Sequence, residues 1–161
     1  MSDAFGALAG DLDYPMFIVT AASGGEADGC LVGFATQCSI DPPRFLACIS
    51  VTNRTYRIAQ QADTLGVHVV PEDAEDLVEL FGGETADEVD KLGRVEWSEG
   101  PDGAPMLAAC PNRFAGCVLG RTPLGDHVGF LLEPMEVEHG APGRPAYPFS
   151  RAKRIEPGHP A

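Results

Sequence analysis

The chain is expected to fold as mainly β, a barrel or sandwich carrying a few short packing helices, and three features of the sequence support that expectation. Seven runs of strand character recur along its 161 residues; clusters of Gly, Pro, Asp and Ser separate them; and only two stretches follow a helical period. The length suits one domain spanning 1–161.

The first strand is read at 16–23, MFIVTAAS, where β-branched and aromatic side chains dominate. SGGEADG at 23–29 has the composition of a hairpin turn, and the next strand runs through 29–40, GCLVGFATQCSI. Asp41-Pro42-Pro43 ends it, because proline fixes its own φ and restricts the residue before it. RFLACISV at 44–51 resumes the sheet and leads into a helix over about 55–63, with Ile58, Ala59 and Ala62 on one face. TLGVHVV at 64–70 precedes a second helix over about 73–82, where Ala74, Leu77, Val78 and Phe81 keep the i, i+3, i+4, i+7 spacing. RVEWS at 94–98, RFAGCVLGR at 113–121 and HVGFLLEPMEVE at 127–138 complete the strands. From Glu72 to Asp102 the chain is strongly acidic, with only Lys91 and Arg94 as counterweights, and reads as a solvated face or a flap. From Gly140 onward it is rich in Pro and Gly, and reads as an extended surface tail.

The formal charge of −13 argues against nucleic acid or anionic lipid as a partner, since both need clustered Lys and Arg. Any anion bound here requires a local positive spot. No apolar run approaches the roughly 18 residues of a membrane helix. The N-terminus, MSDAFGALAGDLDYP, lacks the basic and apolar regions of a secretory signal, so no membrane association and a cytoplasmic location are expected. Cys30, Cys38, Cys48, Cys110 and Cys117 sit in apolar runs without C-x-x-C spacing and read as buried free thiols. The histidines, His68, His127, His139 and His159, show no ligand spacing, so no metal site is expected.

The stretch TQCSIDPP at 36–43 carries the functional signal. Small polar residues in succession weaken a strand's packing unless something lies against them. A period of two sets Cys30, Val32, Phe34, Thr36, Cys38 and Ile40 on one face; Leu31, Gly33, Ala35, Gln37 and Ser39 form the other, which is nearly bare. A bare face admits a flat ligand bonded to main-chain N–H groups near Thr36, Gln37, Cys38 and Ser39, or the close approach of a neighbouring helix or subunit. Downstream, Asn53 or Thr55 is placed to cap the first helix. Arg54 and Arg57 lie at its first turn, where a cation opposes the macrodipole unless an anion is present. Ser50, Asn53, Arg54 and Thr55 therefore form a candidate phosphate site, with ordinary surface arginines as the alternative. A flat heterocycle at 36–39 and a phosphate at 50–55, joined by one strand, describe a mononucleotide.

YPMFIVTA (14–21), GCLVGFATQCSIDPPRFLACIS (29–50), NRTY (53–56), GAPMLAA (103–109) and GDHVGFLLEPMEVE (125–138) together resemble the flavin reductase-like family of FMN-binding split barrels. The S-x-D-P-P element at 39–43 and the G-D-H element at 125–127 are the most specific pieces. The resemblance implies a split β-barrel core over about 10–140, an extended tail over 141–161, and a homodimer holding FMN, or in some members FAD, near its interface. It assigns isoalloxazine contacts to Thr36, Gln37, Cys38 and Ser39, and phosphate contacts to Ser50, Asn53, Arg54 and Thr55. His127, near the nicotinamide or the flavin edge, is the candidate catalytic residue. The implied activity is that of an NAD(P)H-dependent flavin oxidoreductase, with NADH or NADPH as donor and a monooxygenase as partner for the reduced flavin. One departure is Asp90-Lys91-Leu92, where the family commonly has an aromatic after the lysine; Lys91 is left without a role.

No Rossmann fingerprint or P-loop is present, so nicotinamide is expected to dock directly on the flavin, and alignment becomes the protein's main contribution. His127 either steadies that alignment or caps the turn after Gly125-Asp126. Cys38 is read as filling the strand, and Arg151, Lys153 and Arg154 as charges of a surface tail. Two other classes stay open: an FMN-binding electron carrier or sensor without nicotinamide turnover, and a split barrel holding a deazaflavin or haem.

Overall fold

The computed structural model describes residues 3–83 and 88–155; His159 and the end of the expected tail, 156–161, lie outside them. β1 (Phe17–Ser23) and β2 (Glu26–Val32) pair antiparallel, from Phe17 opposite Val32 to Ser23 opposite Glu26. Gly24 and Gly25 make the two-residue turn with φ of 60° and 82°, a conformation side chains resist. The hairpin is tighter than the composition of 23–29 suggests, and Glu26, Ala27 and Asp28 are strand residues. The strand expected to continue to 40 stops at Val32. After Gly33 and Phe34, β3 (Ala35–Ser39) begins at the opposite edge of the sheet.

That break rolls the sheet. The other strands are β4 (Arg44–Ser50), β5 (Thr64–Val69), β6 (Trp97–Glu99), β7 (Pro105–Leu107), β8 (Asn112–Pro123) and β9 (His127–His139). Seven of them form one sheet in the order β2-β1-β5-β8-β9-β4-β3, while β6 and β7 pair separately. Laid flat, six strand spacings would part its edges by about 29 Å. Gly33 and Phe34 bridge them with a reach of only about 11 Å. The sheet must curl until its ends converge, and just past the crossing Phe34 O accepts from Cys48 N at 2.8 Å, extending the pairing of β3 with β4. β2 and β3 remain the two ends of the order, so the barrel is split, as the resemblance implies.

Alternate residues fill its interior. Phe17, Val19 and Ala21, Ala47 and Ile49, Leu65 and Val67, and Val128, Phe130 and Leu132 are all buried in one cluster. Phe45 meets Phe17 and Phe114 edge to face at 5.4 and 5.3 Å. The helices are α1 (Asp3–Gly10), α2 (Arg54–Ala59), α3 (Glu75–Gly82) and α4 (Phe149–Ala152). α2 and α3 are the two expected helices, each shorter than its periodic stretch. α2 adds Ile58 and Ala59 to the interior, while α3 packs Leu77, Val78 and Phe81 with Met16 and Ile18 of the outer face. Among the described residues no helix is long and apolar enough to cross a membrane.

Three expectations need correction. The expected strand at 94–98 begins only at Trp97, because Leu92–Arg94 form a single 3-10 turn, and its partner β7 carries no strand signal of its own. The acidic segment is more than a solvated face, since Lys91 is 1% exposed and Leu92 is buried. Much of the described tail is also not superficial. Tyr147 is fully buried, its N–H donating to Val70 O at 2.7 Å and its carbonyl accepting from Met16 N at 2.8 Å. α4 is capped from far away: Ser150 N and Oγ both donate to the Asp13 carboxylate at 2.9 Å.

On β5, His68 is fully buried, with Nδ1 3.0 Å from Ile18 O and Leu107 N donating to Nε2 at 2.9 Å. Those partners require the neutral Nδ1–H tautomer. Desolvation pushes its pKa down to about 4, against about 6.5 in the unfolded chain. The unfolded state therefore takes up the proton first as pH falls, and this contribution to stability is complete above pH 6.5 and lost towards pH 4. The linkage amounts to about 3 kcal/mol, of which about 2 kcal/mol is lost between pH 6.5 and 5. Urea unfolding across that window, with the His68 ring followed by NMR, should show the loss while the folded ring stays neutral; protonation of the folded ring near pH 6.5 would refute it.

Candidate functional site

The end of β4 and the start of β9 bring the expected phosphate end of the site beside His127. Ser50 lies directly opposite His127 in the ladder, and Val51 N donates to Asp126 O at 3.0 Å. The chain then turns through Thr52 into α2, where Asn53 is the cap: its side-chain oxygen accepts from Thr55 N at 2.8 Å. Ser50 and Asn53 are 7% and 6% exposed. Both line a cavity of about 450 Å³ that also takes in Gly33, Phe34, Cys48 and His127. Phe81 and Gly82 wall one side, and Gly6, Ala9 and Gly10 of α1 another.

His127 is fixed from two directions. Its Nδ1 is 2.7 Å from Asp126 Oδ1, and its ring lies 5.1 Å from that of Phe34 at an interplanar angle of 49°. With Nδ1 occupied, Nε2 is the nitrogen left for a ligand. Burial pushes the neighbouring Cys48 thiol up, which keeps it protonated rather than a nucleophilic thiolate.

The structure therefore gathers Ser50, Asn53 and His127 around one cavity, with Arg54 and Thr55 just behind Asn53. It does not put 36–39 in that lining. Thr36, Gln37 and Cys38 are exposed on the edge strand and Ser39 is half-buried. Their polar groups are used locally, Thr36 Oγ1 donating to Gln37 O and Gln37 Nε2 to Ser39 O, both at 3.1 Å. Register shifts between Gln37 and Ser39, so Cys38 is the extra residue of a bulge and does not fill a strand. Of the five thiols, only Cys30 and Cys110 are buried; Cys48 and Cys117 are half-buried and Cys38 is exposed.

The arginines at the start of α2 also differ from expectation, because the chain supplies its own anions there. Arg57 donates to both Glu26 carboxylate oxygens, at 3.3 and 3.0 Å, and these bonds hold the Glu26 carboxyl below its usual range. Arg54 Nε lies 3.5 Å from Asp28 Oδ2. Sequence reasoning missed these partners because Glu26 and Asp28 read as turn residues. It also missed the walls supplied by the termini, where Tyr14 stacks on Phe149 at 4.6 Å and Lys153 Nζ donates to Gly10 O at 3.1 Å. No spacing in the sequence connects residues so far apart.

A mononucleotide fits this architecture. The volume falls within the roughly 300–1,000 Å³ of small-molecule sites. Its walls are mostly apolar, and Ser50, Asn53 and His127, together with Tyr14 and Lys153 from the terminal segments, supply its polar side chains.

Comparison with known proteins supplies independent findings. The sequence profile of the flavin reductase-like domain family matches residues 9–155. A protein of Rhizobium meliloti (strain 1021) named "Probable flavin reductase" is 29% identical over 132 residues, covering 80% of this chain and 39% of its own length. The "Flavin-dependent monooxygenase, reductase subunit HsaB" of Rhodococcus jostii (strain RHA1) is 32% identical over 84 residues, covering 50% of this chain and 42% of its own. The chain thus spans less than half the length of these two relatives. The crystal structure of the Streptomyces globisporus C-1027 NADH:FAD oxidoreductase SgcE6 with NAD and FAD fragments superposes with a TM-score of 0.79 at 23% identity, over 92% of this chain and 87% of that one.

Proposed function

The chain belongs to the flavin reductase-like family, and on that premise we propose that it is an NAD(P)H:flavin oxidoreductase with FMN as its flavin and FAD as an alternative. The observation that carries the reading is the pairing of His127 with Ser50 across two strands, at a cavity that Ser50, Asn53 and His127 all line. Bound flavin supplies the hydride acceptor, so the protein's own task is placement. Asn53 orders the start of α2, and Ser50, Arg54 and Thr55 offer donors for a phosphate. Asp126 and Phe34 fix the His127 ring and leave Nε2 for the nicotinamide or the flavin edge in this reading. Thr36, Gln37, Cys38 and Ser39 would contact the ring system.

Those four residues lie on an exposed sheet edge, next to Ile40 at 84% exposure and Phe34 at 56%. A ring lying there needs a second wall, and a second copy of the chain would supply it; hence a homodimer with flavin near its interface. A monooxygenase receiving reduced flavin is the proposed partner, by analogy with the reductase-subunit relative, and the cytoplasm is the proposed location.

The test is to load purified protein with FMN, remove the excess, and add NADH and NADPH separately without oxygen. Bleaching of the visible flavin band is the expected outcome and identifies the donor. Retained flavin that neither nicotinamide bleaches would favour an electron carrier, and failure to retain or reduce any flavin would overturn the site.

A further inference from the structure

Two buried polar groups without hydrogen bonds, on Lys91 and Asp28, meet beside Arg54, the first residue of α2. Lys91 Nζ is 3.5 Å from Asp28 Oδ1, and Arg54 Nε is 3.5 Å from Asp28 Oδ2. Asp28 is 2% exposed and Lys91 1%. Lys91 Nζ lies within ion-pair reach of Asp28 Oδ1, and Asp28 Oδ2 within reach of Arg54 Nε, yet neither Lys91 Nζ nor Asp28 Oδ2 makes a hydrogen bond. Buried polar groups normally find such partners, so a corner with two exceptions on facing charges is built for something besides its own stability.

Resting on the reading that a flavin phosphate binds at the start of α2, we propose that Asp28 is a built-in competitor for that phosphate, holding Arg54 and Lys91 between ligands and keeping the flavin exchangeable. The sign follows from counting charges. Two cations and one carboxylate leave the corner at +1, whereas a phosphate monoester brings about −1.5 to −2 at neutral pH. Its arrival sets two anions beside each other in a region of low dielectric, where like charges repel strongly. Without Asp28 the same phosphate would meet two cations unopposed. Without any anion, however, Lys91 would stand buried and unpaired, which folded proteins avoid. Asp28 thus stabilises the empty site and weakens the filled one. A reductase that passes reduced flavin to another protein needs a site that releases it.

Affinities for FMN and for riboflavin, which lacks the phosphate, test this by fluorescence titration. In the wild type FMN should bind no more than about tenfold tighter than riboflavin; a larger preference overturns the proposal. In Asp28→Asn that ratio should rise at least about tenfold, through slower FMN release, with riboflavin binding unchanged. An unchanged or lower ratio in the folded variant also overturns it. Because Asp28→Asn strands Lys91, its melting temperature is read with and without inorganic phosphate. The phosphate should restore stability to the variant and do little for the wild type, and the reverse pattern counts against the competitor. If the variant does not fold at all, the wild-type ratio decides. Reduction of free flavin by NADH reads the proposed function separately: turnover with an unchanged ratio removes only the competitor, whereas a wild type that neither binds nor reduces flavin removes both.

Discussion

Replacing His127 with alanine is expected to slow NADH-driven flavin reduction about a hundredfold at saturating donor, the scale of losing one positioned hydrogen-bonding or proton-transfer group. The ring is already organised before any ligand arrives: Asp126 holds Nδ1 at 2.7 Å and Phe34 lies against it at 5.1 Å. The substitution leaves the backbone as it is, since Leu124 N donates to His127 O at 2.9 Å whatever the side chain. A fold intact by circular dichroism is therefore expected alongside the slow rate. Anaerobic stopped-flow separates the two roles open to this histidine. Loss of alignment lowers the rate at saturation, whereas loss of ground-state binding alone raises KM and leaves that rate untouched. If the saturated rate is within threefold or so of the wild type, His127 is a turn residue and the mechanism loses the side chain to which alignment is assigned.

What could be read from the sequence was what is local. The two-residue periods of Phe17, Val19 and Ala21 and of Val128, Phe130 and Leu132 mark interior positions because each strand alternates by geometry alone. A cap at Asn53 or Thr55, a turn within 23–29 and Asp41-Pro42-Pro43 as a strand terminator are likewise set by immediate backbone chemistry, and the structure selects Asn53 and Gly24-Gly25. The break at Gly33-Phe34 was not legible, because nothing in GCLVGFATQCSI marks where one strand becomes two at opposite edges of a sheet. That single miss misplaced Thr36, Gln37 and Cys38, assigning them to the strand of Cys30 when they lie on an exposed edge. Asp28 and Lys91 were hidden for another reason. Their burial depends on α3 and the turn at Leu92–Arg94 closing over β2, and an aspartate among glycines or a lysine among acidic residues looks solvent-bound when read alone. Sequence shows the candidate phosphate donors; only tertiary structure shows the carboxylate already holding one of them.

Gly66→Ala should be among the most damaging single-methyl changes in the chain, costing about 4 kcal/mol. At most strand positions the same change is neutral or helps, because alanine restricts the unfolded chain. Gly66 lies in β5 opposite Thr20 of β1 and Ala115 of β8. A Cβ there would collide with Thr20 Oγ1, sit 2.9 Å from Pro105 O and reach 3.1 Å from the His68 ring. Thr20 cannot swing away without cost, since it is fully buried and donates to Pro105 O at 2.6 Å. Nor can Pro105 retreat, because β7 is tied down two residues later where Leu107 N donates to His68. Overpacking of about 1–3 kcal/mol therefore adds to a broken buried hydrogen bond of about 1–3 kcal/mol. Domains of this size have about 5–15 kcal/mol in hand, so the variant would fold only marginally. Thr20→Ala removes the worst collision, and a double-mutant cycle should return at least about 1 kcal/mol of coupling between the two sites. A melting temperature for Gly66→Ala at or above the wild-type value would mean that Thr20 and Pro105 do not press on this point of the barrel.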